Sequence, residues 1–162
     1  MAGSNKGGLP QTGKNNKVKM IDVSGKKKTL RTARASGKII LNEEIISKIS
    51  GFQMKKGDVI NTARIAGINA AKKTWELIPL CHQIQLTDIE IDTKILRQEH
   101  EIIITSTVRG YDRTGVEMEA LTAVSAALLT IYDMSKALSK NIVISDVRLI
   151  EKTGGKSDFK KS

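Results

Sequence analysis

Apolar residues change their spacing several times along the chain, and each change marks an element. Thr29–Leu41 ends in Ile39-Ile40-Leu41 after Gly37 and reads as a strand. Asn42, ahead of Glu43-Glu44-Ile45-Ile46, reads as the N-cap of a short helix that Gly51 closes. Gly57-Asp58 caps a second helix, Val59–Trp75, whose Ala63, Ala66, Gly67, Ala70 and Ala71 form a small-residue face suited to close packing. Lys72-Lys73 then sit at the negative end of its dipole. Pro79 breaks the run and leaves Leu80-Cys81-His82 as a connecting segment. Gln85–Ile95 and Glu101–Arg109 flank a polar turn and alternate with a period near two, the pattern of a hairpin. Ala120–Leu138 is a long helix rich in Ala and Leu, and Ile142–Ile150 is a last strand running into Thr153-Gly154-Gly155-Lys156-Ser157.

The order strand, helix, helix, strand, strand, helix, strand predicts an α+β sandwich: a mainly antiparallel four-stranded sheet with helices on one face. The other face needs a cover if it is as apolar as Ile102-Ile103-Ile104 suggests, and a second subunit is a natural one.

Length and balance agree with one domain, since 162 residues at 40% hydrophobic content can bury a core of their own. Residues 1–17, mostly Gly, Asn, Lys and Ser with one Leu, are expected to form a disordered basic tail, 18–159 a single catalytic domain and 160–162 a C-terminal tail. No run approaches 18 apolar residues and the start has no apolar signal core, so the chain is expected in the cytoplasm, away from membranes. The net charge of +10 points to nucleic acid until it is mapped. Residues 1–38 hold ten Lys/Arg against one Asp, whereas 39–151 hold thirteen against fifteen acids, so the folded middle is nearly neutral. With aromatics at 3%, platforms for stacking bases are scarce, and a nucleic-acid role is disfavoured. One cysteine and two histidines exclude an internal disulfide and fall short of a closed zinc site, so no metal is expected.

Several polar groups nonetheless stand where chemistry is possible. Glu119, Thr122, Asp133 and Lys136 fall near one stripe of the long helix, either as a functional row or as its solvated face with Asp133 and Lys136 an ordinary i,i+3 pair. If Gly115–Met118 enters that helix extended, Glu117 and Glu119 point the same way and pair two carboxylates at its mouth. Cys81 and His82 are adjacent, which in an extended segment directs them apart and argues against a thiol–imidazole pair. Lys56 precedes a helix N-terminus, a place that suits phosphate or merely carries surface charge. Thr153–Ser157 lacks the first glycine of a phosphate loop, that position being Ile150.

Taken in order, Met20-Ile21-Asp22-Val23-Ser24, Lys56-Gly57-Asp58-Val59, Ala63-Arg64-Ile65-Ala66-Gly67-Ile68, Leu77-Ile78-Pro79-Leu80-Cys81-His82, Gly115–Ala123, Leu129-Thr130-Ile131-Tyr132-Asp133-Met134 and Gly154-Gly155-Lys156-Ser157 resemble the cyclic pyranopterin monophosphate synthase (MoaC) family of molybdenum-cofactor biosynthesis, over about residues 18–159. The resemblance implies a ferredoxin-like fold and a homo-hexamer, a trimer of dimers with active sites at subunit interfaces. It implies a lyase that needs no cofactor and follows an upstream radical cyclase, converting 3′,8-cyclo-7,8-dihydro-GTP to cyclic pyranopterin monophosphate and pyrophosphate. Residue by residue it places catalytic roles on Asp133, Lys56 and Lys136. Substrate contacts fall on Leu80, Cys81, His82, Glu117, Met118, Glu119 and Lys152, with Arg31 and Lys156 suited by charge to the phosphates. Within such an assembly, Lys56 is expected to come from the neighbour that faces the Asp133 helix. The chain departs from the family at Gln83, where proline is usual, and at Asp158, where another glycine commonly follows Gly-Gly-Lys-Ser.

Overall fold

The computed structural model describes residues 17–161, so the tail read at residues 1–17 lies, apart from Lys17, outside the described residues. The elements are β1 (Thr29–Ile40), α1 (Glu43–Ser50), α2 (Val59–Lys72), α3 (Thr74–Leu77), β2 (Leu86–Leu96), β3 (Glu101–Asp112), α4 (Glu117–Ser135), β4 (Val143–Thr153) and β5 (Phe159–Lys160). The strands form one antiparallel sheet in the order β2-β3-β1-β4-β5. Leaving aside the two-residue β5 that edges it, the arrangement is a ferredoxin-like sandwich. Five strands rather than four make the sheet, because Phe159 and Lys160 pair with Lys152 and Glu151.

Alternation decides which face of the sheet is covered. Ala35, Ile39, Ile102, Ile104 and Val108 are fully buried under α4 and α2, which lie side by side across β1, β2, β3 and β4. The small-residue face of α2 does what its composition suggests: a Cβ on Gly67 would sit 2.9 Å from the Ala123 carbonyl of α4. Asn42 and Asp58 are side-chain caps, accepting from the N–H groups of Ile45 and Asn61. No helix among the described residues is long and apolar enough to cross a membrane.

Three expectations change. The uncovered face is not apolar. Ile102 and Ile104 point to the helices, and Ile103 alone faces out, beside a ladder of ion pairs: Lys38 with Glu101 (2.7 Å), Arg34 with Glu151 (3.5 Å), and Arg109 with Asp88. The helix read as Val59–Trp75 stops at Lys72 and restarts as the short α3 after Lys73. Most consequential for the site, α4 begins at Glu117, so Gly115–Met118 does not enter extended. Glu117 and Glu119, two positions apart on a helix, project in different directions.

Candidate active site

Two cavities adjoin around the turn that joins β3 to α4, sharing Lys26, Thr114, Gly115 and Glu117 in their walls. The first, about 480 Å³, combines apolar side chains (Ile21, Val23, Leu80, Ile84, Met118) with Cys81, His82 and Glu119. The second, about 220 Å³, is cationic: Lys26, Arg31, Arg113, Lys152 and Lys156 surround it, with Glu117 as its acid. A planar heterocycle suits the first and a polyanion the second.

Local structure explains how each group is held. Arg31, on β1, donates Nε to the Asp112 carbonyl (3.4 Å) and Nη2 to the Arg113 carbonyl (3.2 Å), and Arg113 Nε donates to the Lys26 carbonyl (3.1 Å). The β3–α4 turn and the N-terminal segment are thereby braced together. Lys152 Nζ lies 3.1 Å from Glu117 Oε1, which turns Glu117 toward the cationic cavity. Lys156 is presented by a closed loop. Gly154 takes a φ of 85° and packs so tightly that a Cβ would fall 1.9 Å from the Leu30 carbonyl. Its N–H donates to Asp158 Oδ1 at 3.1 Å and its carbonyl accepts from Thr29 Oγ1 at 2.9 Å. Asp158 thus closes the loop by its side chain.

Glu119, in the first turn of α4, is 3% exposed and Oε2 has no partner. Burial pushes its carboxyl up to about 7, with the neighbouring Glu117 charge adding to the effect. Burial also raises the Cys81 thiol, as does Glu119, so Cys81 is a poor thiolate and a wall rather than a nucleophile.

A third group stands apart. Asp133 Oδ1 meets Lys136 Nζ at 2.7 Å, and Oδ2 meets Lys56 Nζ at 2.9 Å; Lys56 also donates to the Asp133 carbonyl at 3.3 Å. The two lysines hold the Asp133 carboxyl down at about 2, and the carboxylate raises Lys136 in return. Lys56 therefore reaches Asp133 within its own chain, which corrects the expectation that a neighbouring copy supplies it: the turn before α2 runs beside the C-terminal end of α4. The trio is not part of either cavity. Asp133 is fourteen residues along α4 from Glu119, roughly 21 Å at 1.5 Å per residue.

Nine of the twelve site residues read from the sequence thus line the paired cavities, namely Leu80, Cys81, His82, Glu117, Met118, Glu119, Arg31, Lys152 and Lys156, while Lys56, Asp133 and Lys136 meet at the far end of α4. A family model, described as the MoaC family, matches residues 20–155. The chain belongs to the MoaC family. Membership places the protein in molybdenum cofactor biosynthesis and agrees with a small nucleotide-type substrate for the paired cavities. The sequence reading missed Lys19, Lys26, Arg113 and Thr114 as wall residues. Lys26 was hidden in a lysine run that reads as solvated charge. Arg113-Thr114-Gly115 carried the one available signal, a polar turn from strand to helix where a scaffold displays functional groups.

Proposed function

We propose that this protein is the lyase that converts 3′,8-cyclo-7,8-dihydro-GTP to cyclic pyranopterin monophosphate with release of pyrophosphate. The observation that carries this is the contact between a ring-sized cavity and a cavity ringed by five cations, across a shared wall of Lys26, Thr114, Gly115 and Glu117. A substrate with a purine-derived ring on a triphosphate fills both. Attack by a ribose-derived oxygen on the α-phosphorus expels pyrophosphate, and Arg31, Lys152 and Lys156, with Lys26 and Arg113, offset the charge that builds on the leaving group. Opening the ring and reclosing it as a pterin requires several proton transfers, for which Lys56, Asp133, Lys136 and His82 are the acids and bases.

One chain cannot present all of these to one substrate, because the Asp133 trio and the paired cavities stand at opposite ends of α4. Within a homo-hexamer built as a trimer of dimers, the trio of one copy completes the cavities of another, and each site lies at an interface. The test is direct: purified protein is incubated with the cyclised nucleotide, and pyrophosphate and the pterin product are quantified. Stoichiometric release of both is expected; a protein that binds the nucleotide and liberates neither sinks the assignment.

A further inference from the structure

Glu119 has an environment unlike that of any other acid here. Among the described residues it is the only ionisable side chain that is fully buried, and no cation there comes within ion-pair distance of it. The titratable groups that face it are Glu117 from its own helix, Cys81 and His82 from the α3–β2 connection, and Lys19 and Lys26 from the N-terminal segment across the first cavity. None satisfies Oε2. A buried carboxylate without donors is costly, whereas the neutral acid loses much less on burial and offers a hydroxyl donor beside a carbonyl acceptor. Glu119 lines the first cavity beside Cys81, His82 and Met118.

We propose that Glu119 binds the ring half of the substrate as a neutral carboxylic acid, donating to a ring carbonyl and accepting from the N–H beside it, the two groups of a purine lactam edge. This rests on the nucleotide substrate proposed above and adds the chemical form in which the site reads it. An ionised Glu119 presents acceptors only, so it can pair with the ring N–H and the exocyclic amino group but not with the lactam oxygen, and it does so as a charge buried without a cation. Its elevated proton affinity agrees with that form near neutral pH.

The two forms separate in binding experiments with GTP, a stable probe that carries the same edge. Dissociation constants are measured at pH 6.0 and 8.5 for the wild type, Glu119→Gln and Glu119→Ala, with thermal unfolding as a check on folding. The side-chain amide of Gln offers the same donor beside acceptor at every pH. Wild-type affinity is expected to fall about tenfold more than that of Glu119→Gln between the two values, as the acid loses its proton. At pH 6.0 Glu119→Gln binds within about threefold of the wild type while Glu119→Ala loses more than tenfold. Overturning results are equal loss in Glu119→Gln and Glu119→Ala, the same pH dependence in wild type and Glu119→Gln, or no GTP binding at either pH. Turnover of the cyclised nucleotide is scored separately, so a failed lyase assignment and a failed proton assignment leave different signatures.

Discussion

At the scale of single residues, Asp133 is the clearest case of a side chain defined by its partners. Two ammonium groups hold it ionised, and it in turn fixes both of them. Exposed pairs of this kind contribute little to stability. Asp133→Asn and Lys56→Ala are therefore expected to unfold at nearly the wild-type temperature while product formation falls by about a hundredfold or more, the scale of a lost proton-transfer group. Wild-type turnover in either variant refutes the role. Glu119 behaves in the opposite sense. Its folded carboxyl, at about 7, lies above the ordinary value, so the folded state holds a proton that the unfolded chain releases, and stability falls as pH rises from about 4.5 to 7. The loss is on the order of 3 kcal/mol and should appear as a lower urea midpoint at pH 8 than at pH 5. Glu119→Gln is expected to flatten that slope, and an unchanged slope contradicts the assignment.

At the scale of elements, spacing revealed strands and caps well and failed where a local signal was missing or double. Asn42 and Asp58 were legible because short polar side chains before a periodic run have one common use. The start of α4 was not: Val116-Glu117-Met118-Glu119 alternates as a strand does, and Val116 at the N-cap has no side chain to announce a helix. Ile102-Ile103-Ile104 misled about the outer face because neighbours on a strand cannot share a side. The Lys73 break carries no Gly or Pro, and β5 is too short to have a period. Asp133 and Lys136 were legible as an i,i+3 pair on one helix, but Lys56 joined them only through the resemblance, since it stands 77 positions before Asp133 in the chain. Two glycines offer element-level tests. Gly67→Leu forces α2 from α4, which should cost about 1–3 kcal/mol measured by denaturant unfolding. Gly154→Ala places a methyl into the Leu30 carbonyl at a positive φ, and is expected to loosen the Lys156 loop and raise KM more than it lowers Tm. A variant that unfolds with KM unchanged points to a purely structural glycine.

At the scale of the whole molecule, the outer sheet face is mostly polar and crossed by ion pairs, with Leu30, Tyr111 and Val143 exposed only toward its ends, so it offers no continuous apolar surface to drive association. Exposed Ile65, Leu77, Trp75 and Leu129 lie instead on or beside the helices. Shared sites make a distinctive demand on mixtures. If one copy lends its trio to another's cavities, Lys56→Ala and His82→Ala, each inactive alone, form hybrids in which one site of each pair is intact. Randomly mixed subunits should then recover roughly a quarter of wild-type turnover. No recovery after verified exchange means that each chain carries a whole site. The length of α4 has one more outcome, set by the rigid span between Glu119 near its start and Asp133 near its end. On the proposed shared site, a solitary copy holds every reactive group and has no means of bringing them to the same molecule, so dilution alone should act as an inhibitor, with specific activity declining as the protein is thinned past the point where copies part.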